Sequence, residues 1–165
     1  MSDIAKEARV HRATLYRHFD DRNQLVVAVL LKKSRPIIDR ASARFDPNVD
    51  PSSTIVETLV AAVDDARNDT ALYALFTSSS AAVTAQLATL SSEFYGLAVD
   101  ATLPVLKHAQ ETGRLRYGIE AEDAIHWLLR VALSFLTTDP RLSPDEQRRL
   151  LETYVTPSIF EEDRT

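Results

Sequence analysis

The chain of 165 residues contains no cysteine and only three glycines, Gly96, Gly113 and Gly118. Without cysteine it cannot form disulfide bonds, a cysteine nucleophile or a thiolate metal site, and this fits a reducing cytoplasm. The scarcity of glycine, beside seven prolines, favours long helices over a turn-rich β fold. We therefore expect an all-α, cytoplasmic protein.

A long stretch of the chain lacks charge. Residues 70–92 carry no charged side chain over 23 positions, a length that raises the question of a membrane span. Its polar side chains are Thr77, Ser78, Ser79, Ser80, Thr84, Gln86, Thr89, Ser91 and Ser92. These make the stretch too polar to face lipid, so we expect no membrane contact.

Motifs of catalysis are missing as well. The sequence has no glycine-rich phosphate loop, no HExxH and no GxSxG. Of the four histidines, His11 and His18 lie in a basic N-terminal segment and His126 lies on the polar stripe of a predicted helix. We expect no enzymatic activity, no metal site and no cofactor.

The charge that is present is divided unevenly. The net charge of the chain is −5. Residues 1–44 hold ten Lys/Arg and five Asp/Glu, whereas residues 45–165 hold nine Lys/Arg and nineteen Asp/Glu. A basic end on an acidic body is typical of a DNA-binding protein with a separate domain for another task. We predict a helix-turn-helix region with a connector helix in residues 1–44. For residues 45–165 we predict an all-helical domain for ligand binding and dimerisation.

The basic segment, residues 2–29, predicts two short helices and the start of a longer one. Ser2 is a good N-cap for the first helix, and the chain turns at Arg9. A second helix starts near His11 or Arg12, and Asp21 caps the third. Two short helices joined by a tight turn, the second rich in basic and hydroxyl side chains, form a helix-turn-helix.

The outward face of the second helix carries hydrogen-bond donors. A recognition helix lies in the major groove, where Arg12 and Arg17 can reach phosphates or guanine edges and Thr14 offers a hydroxyl and a methyl group. The same residues also fit a solvated basic face on a small helical domain.

The stretch DIAKEARVHRATLYRHF, followed by DDRNQL, resembles the DNA-binding signature of TetR-family transcriptional regulators. The resemblance implies binding to double-stranded operator DNA, with Tyr16, His18 and Arg22 on phosphates and Ser2 capping the first helix against a phosphate. His11, Arg12, Ala13 and Thr14 would then face the bases. The predicted DNA-binding residues are Ser2, Arg9, His11, Arg12, Ala13, Thr14, Tyr16, Arg17, His18 and Arg22.

Two features depart from the family pattern. Arg9 stands where the family usually has glycine, and a left-handed arginine costs roughly 1 kcal/mol or more. Either a phosphate contact offsets that cost, or the turn is of another type. The family also has one more helix before this stretch. We therefore expect Met1 to be an internal methionine of a longer reading frame, and the 165-residue chain to bind DNA weakly.

The apolar spacing beyond the helix-turn-helix predicts further helices. They are expected at residues 21–44, 51–67, 81–112, 120–136 and 144–156, with a short helix after Asp69. Pro36 and Pro104 should kink two of them, Gly113 should end the third, and Pro157 should stop the last.

The helical body is expected to bind a small-molecule effector between its helices. The candidate ligand-binding residues are Tyr73, Phe76, Ser79, Thr84, Gln86, Phe94, Tyr95, Trp127 and Leu128. Taken one by one, these side chains are better explained by core packing than by ligand binding. The family resemblance implies that such a cavity exists and that its ligand alters DNA affinity.

The helix at residues 120–136 is apolar around most of its circumference, so one side should face the core and another a partner subunit. Together with the last helix it predicts a homodimer. The expected interface residues are Ile125, Leu129, Ala132, Leu133, Leu136, Gln147, Leu150, Leu151 and Tyr154. The leading interpretation is a ligand-responsive DNA-binding repressor. The alternative is a dimeric helical protein that binds small molecules or other proteins without effective DNA binding.

Overall fold

A computed structural model describes residues 1–78, 81–138 and 140–161. Over these ranges the chain is built from helices without a β-strand, and one isolated bridge pairs Leu115 with Phe160. The all-α fold class is therefore confirmed. The helices are α1 (Ser2–Glu7), α2 (Arg12–His18), α3 (Arg22–Ser42), α4 (Pro51–Asn68), α5 (Thr70–Thr77), α6 (Ala81–Leu90), α7 (Ser92–Glu111), α8 (Ala121–Thr137), α9 (Pro144–Leu150), a π-helical turn (Leu151–Val155) and α10 (Thr156–Ile159).

Side-chain caps fix the starts of α3, α4, α5, α7 and α9. The Asp21 carboxylate accepts the backbone N–H of Gln24 at 2.8 Å, and Asp69 accepts those of Ala71 and Leu72. Ser143 begins α9 with a complete capping box. Each cap satisfies backbone donors that the first helical turn leaves unpaired, which is why local sequence chemistry predicted the starts of α3, α4, α5 and α9 correctly.

Ser2 is not the N-cap of α1. The helix begins one residue earlier than expected, with Met1 as its N-cap and no side-chain hydrogen bond there, so Ser2 lies within the first turn.

The long helix expected at residues 81–112 is two helices. Ser91 between them is extended, and its hydroxyl accepts the backbone N–H of Phe94 at 3.1 Å. A serine in this position caps a new helix because its oxygen replaces the missing backbone acceptor. Pro104 lies within α7 and Pro36 within α3, as expected.

Pro157 does not stop the last helix. It lies in the first turn of α10, where its missing N–H has no partner to lose. The π-helical turn before it changes the hydrogen-bond register, and the chain stays helical to Ile159.

The connector helix α3 packs into the body and lies mainly against α7 and α4. Its apolar side chains Val26, Leu30 and Ile37 share a buried cluster with side chains of α4 to α8. A second cluster joins α4, α7, α8, the π-helical turn and α10. The division at residue 44 stays a prediction, and the core of α3 is continuous with that of the body.

Within the portions of the chain just described, none of the helices combines the length and the apolar character that a membrane crossing requires.

Candidate DNA-binding segment and internal cavity

The turn after α1 is a Schellman motif with Arg9 in the left-handed conformation, at φ 53°. The Arg9 N–H donates to the carbonyl of Lys6 at 3.2 Å, and the Val10 N–H donates to that of Ala5 at 3.0 Å. This pattern closes a helix whose next residue has a positive φ. The turn is therefore of the type that favours glycine, and Arg9 occupies it with strain.

The α2 helix presents its polar side chains outward. The guanidinium of Arg12 lies 5.1 Å from the centroid of the Tyr16 ring and donates to the Tyr16 hydroxyl at 3.3 Å. Of the ten predicted DNA-binding residues, Thr14 is half-buried, and the exposed ones are Ser2, Arg9, His11, Arg12, Ala13, Tyr16, Arg17, His18 and Arg22. They are accessible to DNA without a change in the core.

A small hydrogen-bonded junction joins α2 to α3. The Gln24 side chain accepts the backbone N–H of Asp20 and donates to its carboxylate, each at 2.9 Å. No side chain of α2 is fully buried, and Leu15 and Phe19 are half-buried. The junction therefore fastens the short link after α2, at Asp20, to the first turn of α3.

The helix-turn-helix coincides with the part of the chain that matches a known family profile. Residues 1–29 match the profile of the family described as bacterial regulatory proteins, tetR family. Residues 1–29 are thus similar to the N-terminal region of TetR-family regulators. Two proteins of Mycobacterium tuberculosis, from strains CDC 1551 / Oshkosh and ATCC 25618 / H37Rv, are each 28% identical to it over 159 residues. The match covers 96% of this chain and 74% of each relative, and both relatives are named HTH-type transcriptional regulators.

The helical body contains two neighbouring apolar pockets of about 90 and 70 Å³ that share part of their lining, called here the first and the second lobe. Ser34, Ile37, Phe76 and Phe94 line the first lobe, and Thr58 lines the second. Five residues line both lobes and lie where they meet, namely Ile38, Ala62, Ala98, Leu129 and Ala132. The lobes exist because alanines from α4, α7 and α8 face each other at their junction.

The structure brings three of the predicted ligand-binding residues to this cavity: Phe76 and Phe94 in the first lobe and Leu128 in the second. Thr84 is buried but lines neither lobe. Tyr73 and Gln86 are exposed, and Ser79 lies outside the described residues.

Two further candidates belong to the outer part of α7 and α8. The Tyr95 ring stacks on His126, with centroids 4.2 Å apart. Burial, together with the carboxylates of Glu122 and Asp123, raises the pKa of Tyr95, so its hydroxyl stays protonated. Trp127 is 46% exposed. None of these aromatic side chains lines either lobe.

The sequence did not predict the part of the cavity lining that α3 and the alanines of α4, α7 and α8 form. The predicted ligand-binding residues were mainly aromatic, because aromatic side chains are usual in ligand sites. The available signal was the placement of small residues on the buried faces of α4, α7 and α8, together with Ser34, which is only 8% exposed on the apolar face of α3.

Ion pairs hold α3 to the body around the cavity. Lys33 Nζ lies 3.0 Å from an oxygen of Asp69, and Arg40 Nη2 lies 2.8 Å from Asp65. Arg35 pairs in the same way with Asp100 on α7. These contacts join α3 to α4, α5 and α7.

Most of the predicted dimer-interface residues lie inside the chain. Ile125, Leu129, Leu133, Gln147 and Leu151 are buried, and Ala132, Leu136 and Leu150 are partly buried against the core. Only Tyr154, at 70%, is strongly exposed. The reason is that α4, α5, α6 and α7 pack against α8 and cover these side chains within the chain, and the homodimer itself stays a prediction.

Over the part of the chain that the structure describes, no group of three or more histidine or carboxylate side chains is placed to hold a metal ion.

Proposed function

We propose that the chain is a ligand-responsive repressor that binds operator DNA as a homodimer. The observation that carries this proposal is the double role of α3. Its first turn bonds through Gln24 to Asp20, in the short link that follows α2, and its later turns line the cavity with Ser34, Ile37 and Ile38. A molecule in the cavity therefore contacts the helix to which α2 is directly linked.

In the proposed regulatory step, the chain is in equilibrium between two conformations that differ in the position of α3. An effector shifts this equilibrium only by the difference between its affinities for the two conformations. In a dimer, the two recognition helices reach half-sites about 34 Å apart along the DNA. A small rotation of α3 changes this separation, so an effector that favours the rotated state releases the operator.

The recognition helix is tested with Arg12→Ala and Arg17→Ala, both of which change exposed side chains. We expect both variants to stay folded and to bind DNA more weakly. If the replaced residue contacts a base, the variant should lose roughly 1–3 kcal/mol of discrimination at one base pair of the operator. A residue that contacts phosphate should weaken binding to all sequences and lower the salt slope by about one. Gel shifts at several salt concentrations measure both effects.

Arg149→Ala serves as the matched control, because Arg149 is an exposed arginine of α9, far along the chain from the helix-turn-helix. It should leave affinity unchanged. If the chain binds DNA and neither Arg12→Ala nor Arg17→Ala weakens it, α2 is not the recognition helix.

The alternative, a dimeric small-molecule-binding protein without effective DNA binding, is favoured by the weak anchoring of α2, which buries no side chain fully. A gel shift on the intergenic DNA upstream of the gene separates the two functions. Absence of a shift, with a probe still bound in the cavity, supports the alternative.

A further inference from the structure

The walls of both lobes are uncharged. Among the described residues that line them, every one is apolar except Ser34, Thr58 and Thr102. The cations of α3 are absent from both linings, and three of them, Lys33, Arg35 and Arg40, form ion pairs with body carboxylates. A charged ligand would lose its hydration in such a cavity without gaining an ionic partner, which is strongly unfavourable.

Two of the three hydroxyl groups lack a partner. Ser34 is 8% exposed and Thr58 is 3% exposed, and neither side chain makes a hydrogen bond to any residue that the structure describes. Thr102, in contrast, donates to the carbonyl of Ala98 at 2.7 Å. Neither Ser34 Oγ nor Thr58 Oγ1 is among the fully buried, unpaired polar atoms of the described residues, so each oxygen keeps some accessible surface through which a ligand can bond to it. Each lobe thus holds one hydroxyl that a ligand can satisfy.

The size of the cavity sets the size of its occupant. Taken together, the two lobes of about 90 and 70 Å³ are comparable with an apolar cavity of about 150 Å³ that stays dry and binds benzene, and neither lobe alone reaches that volume. Phe76 and Phe94 provide aromatic walls to the first lobe, the one that contains Ser34. A six-membered ring fits this space.

We infer that the effector is a small uncharged molecule with a benzene-sized apolar body and one hydrogen-bonding group, and that Ser34 is its polar contact. The inference rests on the proposed ligand-responsive function, since it names the chemical class that the cavity accepts. Ser34 is chosen over Thr58 because it lies in the larger lobe and on α3, where a bound molecule acts directly on the connector helix.

The test is isothermal titration calorimetry of the full chain with phenol, toluene and benzoate. Phenol should bind most tightly, toluene more weakly, and benzoate not measurably. Ser34→Ala should weaken the affinity for phenol by roughly three- to tenfold and change the affinity for toluene by less than about twofold. Thr58→Val, which replaces the other hydroxyl by a methyl group, is the matched control. Its affinity for phenol should stay within about twofold of that of the parent chain.

Filling the junction of the lobes provides a second measurement. Ala98→Leu should abolish binding of both phenol and toluene, with the fold checked by circular dichroism. Should that variant fail to fold, the smaller Ala62→Val should still weaken both probes. Benzoate binding as tight as phenol, or phenol binding that neither Ser34→Ala nor a filled cavity weakens, overturns the inference. A loss of phenol binding in Thr58→Val instead of Ser34→Ala overturns the choice of Ser34.

Gel shifts in parallel separate this inference from the proposed function. If phenol binds in the cavity but the chain does not bind DNA, the regulatory function fails and the ligand class stands. If the chain binds operator DNA and only charged molecules release it, the ligand class fails and the function stands.

Discussion

At the scale of single residues, the same helix-ending motif occurs twice with different occupants. After α7 the left-handed position is Gly113, at φ 69°, and the Arg114 N–H donates to the carbonyl of Ala109 at 2.7 Å. After α1 the position is Arg9, at φ 53°. A side chain in this conformation costs about 1–2 kcal/mol. Such strain is common at functional positions, and here it lies between the two helices of the helix-turn-helix.

Replacing Arg9 separates its conformation from its charge. Arg9→Gly should stabilise the turn by about 1 kcal/mol, measured as slower hydrogen exchange of the Val10 amide. Arg9→Asn should give a smaller gain, because asparagine tolerates a positive φ. If Arg9 contacts a phosphate, both variants should lose affinity for every sequence alike, with a salt slope lower by about one.

Arg9→Lys is the control for this comparison, because it keeps both the charge and the strain. In Arg9→Lys, the Val10 amide should exchange hydrogen at the same rate as in the parent chain, and the DNA affinity should be unchanged. Faster exchange of the Val10 amide in Arg9→Gly would show that arginine is not strained at this turn.

At the scale of helices, sequence predicted the starts better than the breaks. Asp21, Asp69 and Ser143 each accept a backbone N–H from a residue two or three positions later. A few residues of local sequence are therefore enough to predict where each helix starts. The break at Ser91 was missed because the apolar spacing continues across it. A periodic pattern does not show whether a serine faces solvent or accepts a backbone N–H.

The cavity was less predictable than the helices because it depends on which helices meet. Ala62, Ala98 and Ala132 are ordinary helix residues in their own segments. Only the packing of α4, α7 and α8 places them at one junction and leaves space between them. The position of Ser34 at the cavity follows from the same packing, whereas the helix-turn-helix was evident from a local motif.

The contact between α3 and the start of α5 has a defined pH dependence. The backbone N–H of Leu72 and the Lys33 ammonium, both of which donate to the Asp69 carboxylate, hold the pKa of Asp69 below its ordinary value. A carboxyl group with a lowered pKa stabilises the fold at a pH above its unfolded value, about 3.9, and this stability is lost as the pH falls through the folded pKa. Arg148 lowers the pKa of Glu57 between α4 and α9 in the same way, through a side-chain hydrogen bond.

We therefore expect the melting temperature to be nearly constant between about pH 5 and 7 and to fall below about pH 4. Asp69→Ala should lower the melting temperature at pH 7 by about 2–4 °C, since it removes both the cap and the ion pair. Asp69→Asn keeps the capping oxygen and should lower it less.

Both Asp69 variants should also reduce the fall in melting temperature at acidic pH. Differential scanning calorimetry between pH 3 and 7 measures this. An equal loss at pH 7 in both variants would mean that the ion pair with Lys33, and not the cap, holds the start of α5.

At the scale of the whole molecule, the excess of positive charge in residues 1–44 is partly used within the chain. Lys33, Arg35 and Arg40 pair with carboxylates of the acidic body, so these cations hold α3 in place. The cations left to face DNA are concentrated before α3 and at its first residue. The simple count of basic residues therefore overstates the charge available for operator binding.

The proposed homodimer needs a surface that the single chain leaves open. On α8 and the π-helical turn, the large exposed apolar side chains are Trp127, at 46%, and Tyr154, at 70%. We expect Trp127→Glu and Tyr154→Glu to remain folded and to shift a dimer to monomer. An interface of at least about 1,000 Å² in total is needed for a stable dimer, and a charge at its centre is costly.

Two further variants distinguish dissociation from unfolding. Leu151 is 0% exposed, so Leu151→Asp should unfold the chain. Tyr117 is fully exposed in the loop before α8, so Tyr117→Glu should change neither fold nor assembly. Light scattering at micromolar concentration reports the mass, and circular dichroism reports the helices. A parent chain that is monomeric under these conditions contradicts the homodimer. A parent dimer that persists in both Trp127→Glu and Tyr154→Glu places its interface on another face of the molecule.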